Sequence, residues 1–204
     1  MIRRKQTISS IVMFASHNTT AYSMSHMFKQ LAIHHSYQEK VRAELRSLPI
    51  EKRADSSPLL DHAIKETMRM KSPIPSGSTR RIVKDLIVKK NEKNGYEKDL
   101  LIPKGSNVMC AHALLHYNEE YFEDPFTWKP ERWINPSDDT KAAFLPFSLG
   151  RRNCIGQNLA RATIYKTLST LIADYDFTIA EEGIEEIFIR YAPEGLRLKV
   201  TKVE

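Results

Sequence analysis

Phe147-Ser148-Leu149-Gly150-Arg151-Arg152-Asn153-Cys154-Ile155-Gly156 is the stretch on which the reading of this chain turns. A glycine-containing loop delivers one cysteine to the start of a helix. That helix is predicted to run to about Tyr175, with Leu159, Ala162, Leu168, Leu171 and Ile172 inward. Backbone N–H groups at a helix start, with arginine nearby, favour the thiolate form of a cysteine. A thiolate held this way is a nucleophile or a soft metal ligand. Gly150 and Gly156 permit a tight backbone and the close approach of something flat, and Phe147 can shield the sulfur. Against this stands the plain alternative of a buried structural cysteine, the usual fate of a free thiol.

Working upstream, Pro125, Pro130, Pro136 and Pro146 break residues 117–153 into an irregular stretch that holds both tryptophans, Trp128 and Trp133. A loop of that length in a compact domain is usually functional. Before it lies a β region. Arg81 to Val88 is one extended run, Asn94-Gly95 marks a turn, and a second run leads through Leu101 and Ile102 to Pro103. Ser106 to Leu115 reads as a strand passing into a helix. Three helices come first. One runs from Ile8 to about His34, with Ile11, Phe14, Ala15, Met24, Met27, Phe28 and Leu31 at helical spacing. Ser36 and Glu39 form a capping box for the second, Tyr37 to Leu48. Ser57 and Pro58 start the third, which buries Leu60, Ala63, Ile64 and Thr67 and ends before Pro73 and Pro75. The tail from Phe177 to Val203 reads as short strands, with turns at Gly183 and Pro193-Glu194-Gly195.

Composition narrows the classes. With 41% hydrophobic and 27% charged residues the chain is no disordered tail. The net charge of +6 is dispersed, without the basic-aromatic footprint of a nucleic-acid binder. Two cysteines, Cys110 and Cys154, are too few for a disulfide scaffold; Cys110 is expected in the core. His112 and His116 could share a helix face as metal ligands do, but no third ligand stands nearby. His34-His35 reads as a solvated helix end. Asn18-Thr19-Thr20 matches a glycosylation sequon by coincidence, mid-helix as it is. No apolar run approaches the ~18–20 residues of a membrane span. The run Ile8–Ala15 behind Arg3, Arg4 and Lys5 lacks the small-residue cleavage site of a signal peptide.

Phe-x-x-Gly-x-Arg-x-Cys-x-Gly resembles the haem-binding loop of the cytochromes P-450, the haem-thiolate monooxygenases. Its fixed positions coincide by chance on the order of once in ten million windows. Two further motifs stand in the family's order. Glu66-Thr67-Met68-Arg69 is similar to its Glu-x-x-Arg helix, and Pro130-Glu131-Arg132-Trp133 to its Pro-Glu-Arg-aromatic segment. The resemblance implies that Glu66, Arg69 and Arg132 form a buried structural network. It makes Cys154 the axial ligand of haem b (iron protoporphyrin IX) and pairs Arg152 with one haem carboxylate. It pairs a second arginine, Arg80 or Arg81, with the other, Arg81 being preferred by counting back from Asp85.

The first helix resembles the oxygen-activating helix, whose pattern is roughly Ala-Gly-x-Asp/Glu-Thr-Thr/Ser. Here it reads Ala15-Ser16-His17-Asn18-Thr19-Thr20. Ala15 is implied to let the helix lie close over the haem, and Thr19 to help deliver protons to bound oxygen. Ser16 replaces the glycine and Asn18 the acid. An amide cannot relay a proton as a carboxylate does, although it can position water. Lys129, Arg151 and Arg161 are candidates for the face where the family docks its electron donor, or else a plain solvated basic face.

The implied fold is mainly α with small β-sheets (α+β), the C-terminal half of the family fold in one partial domain. Its segments are 1–34 (oxygen-activating helix), 36–70 (two helices), 74–110 (β region), 111–153 (helix and irregular meander), 154–175 (helix after the cysteine) and 176–204 (β hairpins). The implied partners are O2, a small lipophilic substrate and an electron-donor reductase fed by NADPH, with no nucleic acid. Cys-Ile-Gly-Gln and Pro-Glu-Arg-Trp look most like eukaryotic, reductase-served members, implying an endoplasmic reticulum membrane setting. Membrane association is then expected through sequence upstream, which the uncapped first helix also suggests is missing. Two alternatives remain open: a haem-thiolate isomerase or dehydratase that needs no O2, pointed to by Asn18, and a truncated, non-catalytic fragment that cannot retain haem.

Overall fold

A computed structural model describes residues 2–90, 97–181 and 196–204, with side chains from residue 13 onward. Asn94-Gly95, Gly183 and Pro193-Glu194-Gly195 lie outside the described residues, as do the side chains of Ile8 and Ile11.

Four helices build the main core. They are α1 (Ile2–Ile33), α2 (His35–Ser47), α3 (Pro58–Met70) and, later, α6 (Gln157–Asp174). Met27 and Leu31 of α1, Val41 and Leu45 of α2, Leu60 and Ile64 of α3, and Ile164, Leu168 and Ile172 of α6 meet in one buried cluster with Trp128 and Phe177. Each follows the 3.6-residue period that lays apolar side chains on one helix face. Ser57 caps α3 as expected, its hydroxyl accepting from Leu60 N at 3.3 Å.

The capping box at Ser36 does not form. Instead α2 begins two residues earlier, at His35, with His34 as its cap residue. Tyr37 and Gln38 donate their N–H groups to His34 O, so the first turn needs no serine. His34 and His35 are not a free solvated end either. His34 stacks on Trp128 with ring centroids 4.4 Å apart, and His35 Nε2 lies 2.9 Å from Asp176 Oδ1.

The extended run at 81–88 is two strands, because the chain changes partner midway. β1 (Thr79–Arg81) pairs antiparallel with β4 (Asn107–Met109), and β2 (Leu86–Val88) pairs with β3 (Leu100–Ile102). Asp85 holds the switch, accepting from Lys104 N at 2.7 Å. The third sheet, β5 (Tyr175–Glu181) with β6 (Arg197–Lys202), is fastened to α2. There Gln38 exchanges two hydrogen bonds with the Phe177 backbone, each 2.9 Å. Among the described residues there are also two short α-helices, α4 (His112–His116) and α5 (Asp138–Ala143). The architecture is mainly helical with small antiparallel sheets.

On α6 the inward set starts later than the sequence suggests. Ile164, Leu168 and Ile172 are buried, but Leu159 is 64% exposed and Ala162 is exposed. The first turns of α6 follow the cysteine loop, and no described segment covers them. Cys110 is likewise exposed rather than in the core. Among the described residues no helix is long and apolar enough to cross a membrane.

Candidate functional site

Glu66 is the structural hub. It is completely buried on α3, as is Arg69, one helical turn on. Arg69 grips it with two parallel bonds, Nε to Oε2 at 3.0 Å and Nη2 to Oε1 at 2.8 Å. Arg132 Nε and the Lys129 backbone N–H reach Oε1 at 2.9 and 3.0 Å, and Trp133 Nε1 donates to Oε2 at 3.0 Å. Five donors therefore converge on one carboxylate. The remaining guanidinium protons are spent on backbone. Arg69 donates to His116 O at 2.6 Å, and Arg132 to Glu123 O at 2.8 Å. Every arm is satisfied, which is what makes a buried ionic cluster tolerable. Its geometric effect is to nail the irregular meander to α3.

A second fastening was not legible in the sequence. His116 is fully buried, and both its ring nitrogens are engaged. A carbonyl can only accept, so Nδ1 carries the proton and donates to Arg69 O at 3.0 Å, leaving Nε2 to accept from Leu145 N at 3.0 Å. Burial above all pushes its pKa down to about 4. With both nitrogens used, His116 cannot join His112 in holding a metal ion. Among the described residues no group of three His, Cys, Asp or Glu could do so. Trp128 is a third anchor, its Nε1 donating to Thr67 Oγ1 at 3.1 Å. Two tryptophans in a proline-rich loop were the available signal, since a buried indole N–H requires an acceptor.

These anchors set the position of the cysteine loop. Leu145, held by His116, lies just ahead of Phe147, and Phe147 O accepts from Cys154 N at 2.9 Å, closing the loop. Gly150 sits at φ +74°, a conformation that favours glycine, and Ser148 at φ +59°. Gly156 has an ordinary backbone, and a Cβ there would meet only Cys154 Sγ, at 4.0 Å. Its bareness therefore serves no contact within the described chain. Arg161 places its guanidinium over the Phe147 ring, 5.6 Å from the centroid. Arg151 and Lys129 lie near the same loop and meander, Arg151 exposed and Lys129 half-buried.

A cavity of about 430 Å³ opens between this loop and α1, within the size range of small-molecule sites. Cys154, Phe147 and Arg152 form one part of its wall, and Ala15, Asn18 and Thr19 another. Met68, Pro73, Ile74 and Ile164 contribute apolar surface, and His112 an imidazole. Thr19 Oγ donates back to Ala15 O at 2.8 Å, so its oxygen is left to accept. Asn18 Oδ1 lies 3.0 Å from His17 Nδ1. Ser16 is off the wall, bonded to Met13 O at 3.2 Å. Neither β1 arginine lines the cavity, and Arg81 is exposed. Arg80 is half-buried, and its charge acts on His112 at the wall. Successive strand residues face opposite sides, which explains the difference.

The site thus defines a class: a protein that presents a single exposed thiol, on a loop braced by a buried Glu/Arg cluster, to a largely apolar cavity under a long helix. The family model of the cytochromes P450 matches residues 3–199, and the chain belongs to that family. It is 33% identical to "Probable cytochrome P450 508A2" of Dictyostelium discoideum in an alignment 177 residues long that covers 78% of this chain and 34% of that protein. It is 32% identical to "Lanosterol 14-alpha demethylase" of Cunninghamella elegans over 202 residues, 85% of this chain and 38% of that protein. It is 34% identical to "Tryprostatin B 6-hydroxylase" of Aspergillus fumigatus over 188 residues, 85% and 32%. The chain spans about a third of the length of these curated relatives.

The donor set fits the haem that the family implies. The cavity offers one soft sulfur for the iron, apolar walls for a flat macrocycle and the Arg152 guanidinium for a carboxylate. No carboxylate side chain lines it among the described residues.

Proposed function

We propose that this chain carries the thiolate-ligand portion of a haem-thiolate monooxygenase, which inserts one atom of O2 into a small lipophilic substrate with electrons from NADPH through a redox partner. The observation that supports this most is the meeting of Cys154 with Ala15 and Thr19 on the walls of one cavity, although they lie far apart in the sequence. When bound, haem supplies a redox-active iron that activates O2, and thiolate ligation favours O–O cleavage.

The chain's own residues do the rest. Cys154 would hold the iron, with Phe147 and Gly150 shaping the loop around its sulfur. Gly156 leaves room beside it. Arg152, and Arg80 in preference to Arg81, pair with the haem carboxylates in bidentate or charge-assisted bonds. Ala15 lets α1 lie close to the macrocycle. Thr19, with its oxygen free to accept, would order water on the α1 side of the cavity, and the Asn18 amide would position that water without exchanging a proton of its own. Glu66, Arg69 and Arg132 keep the loop aimed. The relatives named above come from a slime mould and two fungi. This eukaryotic company supports a reductase as donor and the endoplasmic reticulum membrane as location.

A second reading has an observation of its own. Asn18 stands where a proton-relaying acid is expected, and no acid lines the cavity among the described residues. That favours an isomerase or dehydratase needing no O2.

Loading the purified chain with iron protoporphyrin IX, reducing it and adding carbon monoxide tests the common part. The red-shifted Soret band of thiolate ligation is expected, and its loss in Cys154→Ala. A band unchanged by that substitution overturns the reading, and no band at all leaves the chain a non-catalytic fragment. NADPH-dependent turnover with a reductase separates the two activities: conversion without electrons sinks the monooxygenase.

A further inference from the structure

Among the described residues His112 is the one histidine on the cavity wall. It opens α4, directly after β4, and is only 5% exposed. A buried imidazole normally has a hydrogen-bond partner. Its neighbour His116 has two, whereas His112 has none among the described residues. Its ring is held in place from behind: the ring of His116 lies 6.4 Å away, and a Cβ on Gly77 would come within 3.2 Å of His112 Cδ2. Gly77 adopts φ +70°, and a side chain there would also strike Cys110 O at 1.9 Å. The bare turn at Gly77 therefore lets the 73–78 loop close against the imidazole. The charge beside it is positive, from Arg80 on β1. No carboxylate side chain lines this wall among the described residues.

We propose that His112 donates a hydrogen bond to a carboxylate of the molecule occupying this cavity, with the Arg80 guanidinium supplying the complementary charge. Burial first, and then the Arg80 charge, lower the His112 pKa, so the ring is neutral and offers one N–H. An anionic acceptor satisfies both that N–H and the otherwise uncompensated cation. The inference rests on the haem-thiolate reading of the cavity. The carboxylate has two possible sources, the porphyrin's own side chains or an acid-bearing substrate.

The test titrates the full chain with iron protoporphyrin IX and with its dimethyl ester, following absorbance, in wild type, His112→Phe and His112→Gln. A charge-assisted bond lost at a buried site weakens binding about tenfold. If the porphyrin is the source, His112→Phe weakens the free acid about tenfold and leaves the ester unchanged, while His112→Gln, which keeps a donor, restores most of the affinity. If the substrate is the source, both porphyrins bind all three proteins alike. Dodecanoic acid, but not dodecanol, then shifts the Soret band of the loaded wild type and fails to do so in His112→Phe. Equal loss for acid and ester, with no rescue by glutamine, marks a merely structural role and overturns the proposal. So does the absence of any effect on both porphyrins and on dodecanoic acid. A wild type without Cys154-dependent binding overturns the haem reading itself, and the proposal with it.

Discussion

Replacing Glu66 by Gln changes one heavy atom at the centre of the buried cluster. All five groups that converge on the carboxylate are donors. The amide offers only one oxygen. Set at the Oε1 position, it keeps Arg132, Lys129 N and one arm of Arg69, but its NH2 then confronts Arg69 Nε and Trp133 Nε1. The negative charge that balances two guanidinium groups, at 0% and 8% side-chain exposure, is also gone. Breaking a buried pair by removing one partner costs about 3–5 kcal/mol. The stability of a whole domain is only about 5–15 kcal/mol. At about 2–4 °C per kcal/mol for a chain of this size, Tm falls by roughly 6–20 °C. Thermal unfolding followed by circular dichroism measures it, with Lys141→Ala as the control. Lys141 also pairs with a carboxylate, Asp138, at 3.0 Å, but both are exposed and solvent screens them. A Tm for Glu66→Gln no lower than that of Lys141→Ala would refute the view that this cluster braces the loop.

Three further outcomes follow from particular positions. Gly77→Ala is expected to destabilise the fold clearly more than Gly105→Ala: both have positive φ, costing about 1–2 kcal/mol, but only at Gly77 does the new Cβ strike backbone. Equal denaturation midpoints for the two variants contradict this. His116 is neutral when folded, with its pKa lowered to about 4 from 6.5. The unfolded chain therefore binds more protons between those values, and the His116 contribution, at most about 3 kcal/mol, is present above pH 6.5 and lost as pH falls toward 4. His116→Gln should flatten that part of the stability–pH curve, while a curve of unchanged slope argues against it. Cys110 is exposed, so a disulfide-type thiol reagent should titrate one thiol in folded Cys154→Ala and two in the wild type. A silent Cys110 would return it to the core.

What the sequence made legible depended on how local the signal was. The Ser57–Pro58 start of α3 needs only three adjacent residues, and the structure has it. The pairing of Glu66 with Arg69 needs only helical spacing. The Ser36 cap failed because α1 runs almost directly into α2 through His34, whose carbonyl opens the helix by taking the Tyr37 and Gln38 N–H groups and so leaves Ser36 inside it. Arg80 and Arg81 could not be separated by counting, since a one-residue register difference on a strand reverses the face. His116 was hidden for another reason. Its role lies in two backbone partners, Arg69 O and Leu145 N, far apart in sequence, and no side-chain motif records such contacts. The inward face of α6 was overextended because periodicity marks apolar positions without saying what covers them. Leu159 is apolar and still 64% exposed.

Trp133 and Phe144 lie with ring centroids 4.5 Å apart, so the chain leaves the meander at one point and returns to it almost where it left. Between them runs an excursion with exposed Ile134 and the short helix α5, tied back by the Thr140 bond to Tyr121 O and by Ala143, which is buried against Phe122 and Trp133. Its ends are fixed and its interior bears on nothing near the sulfur. Residues added at Asn135-Pro136-Ser137 would lengthen a detour without moving either doorway. The peptide linking the brace to the thiol loop therefore has a built-in splice point, where a tag or reporter can be inserted while the cysteine stays on its mark.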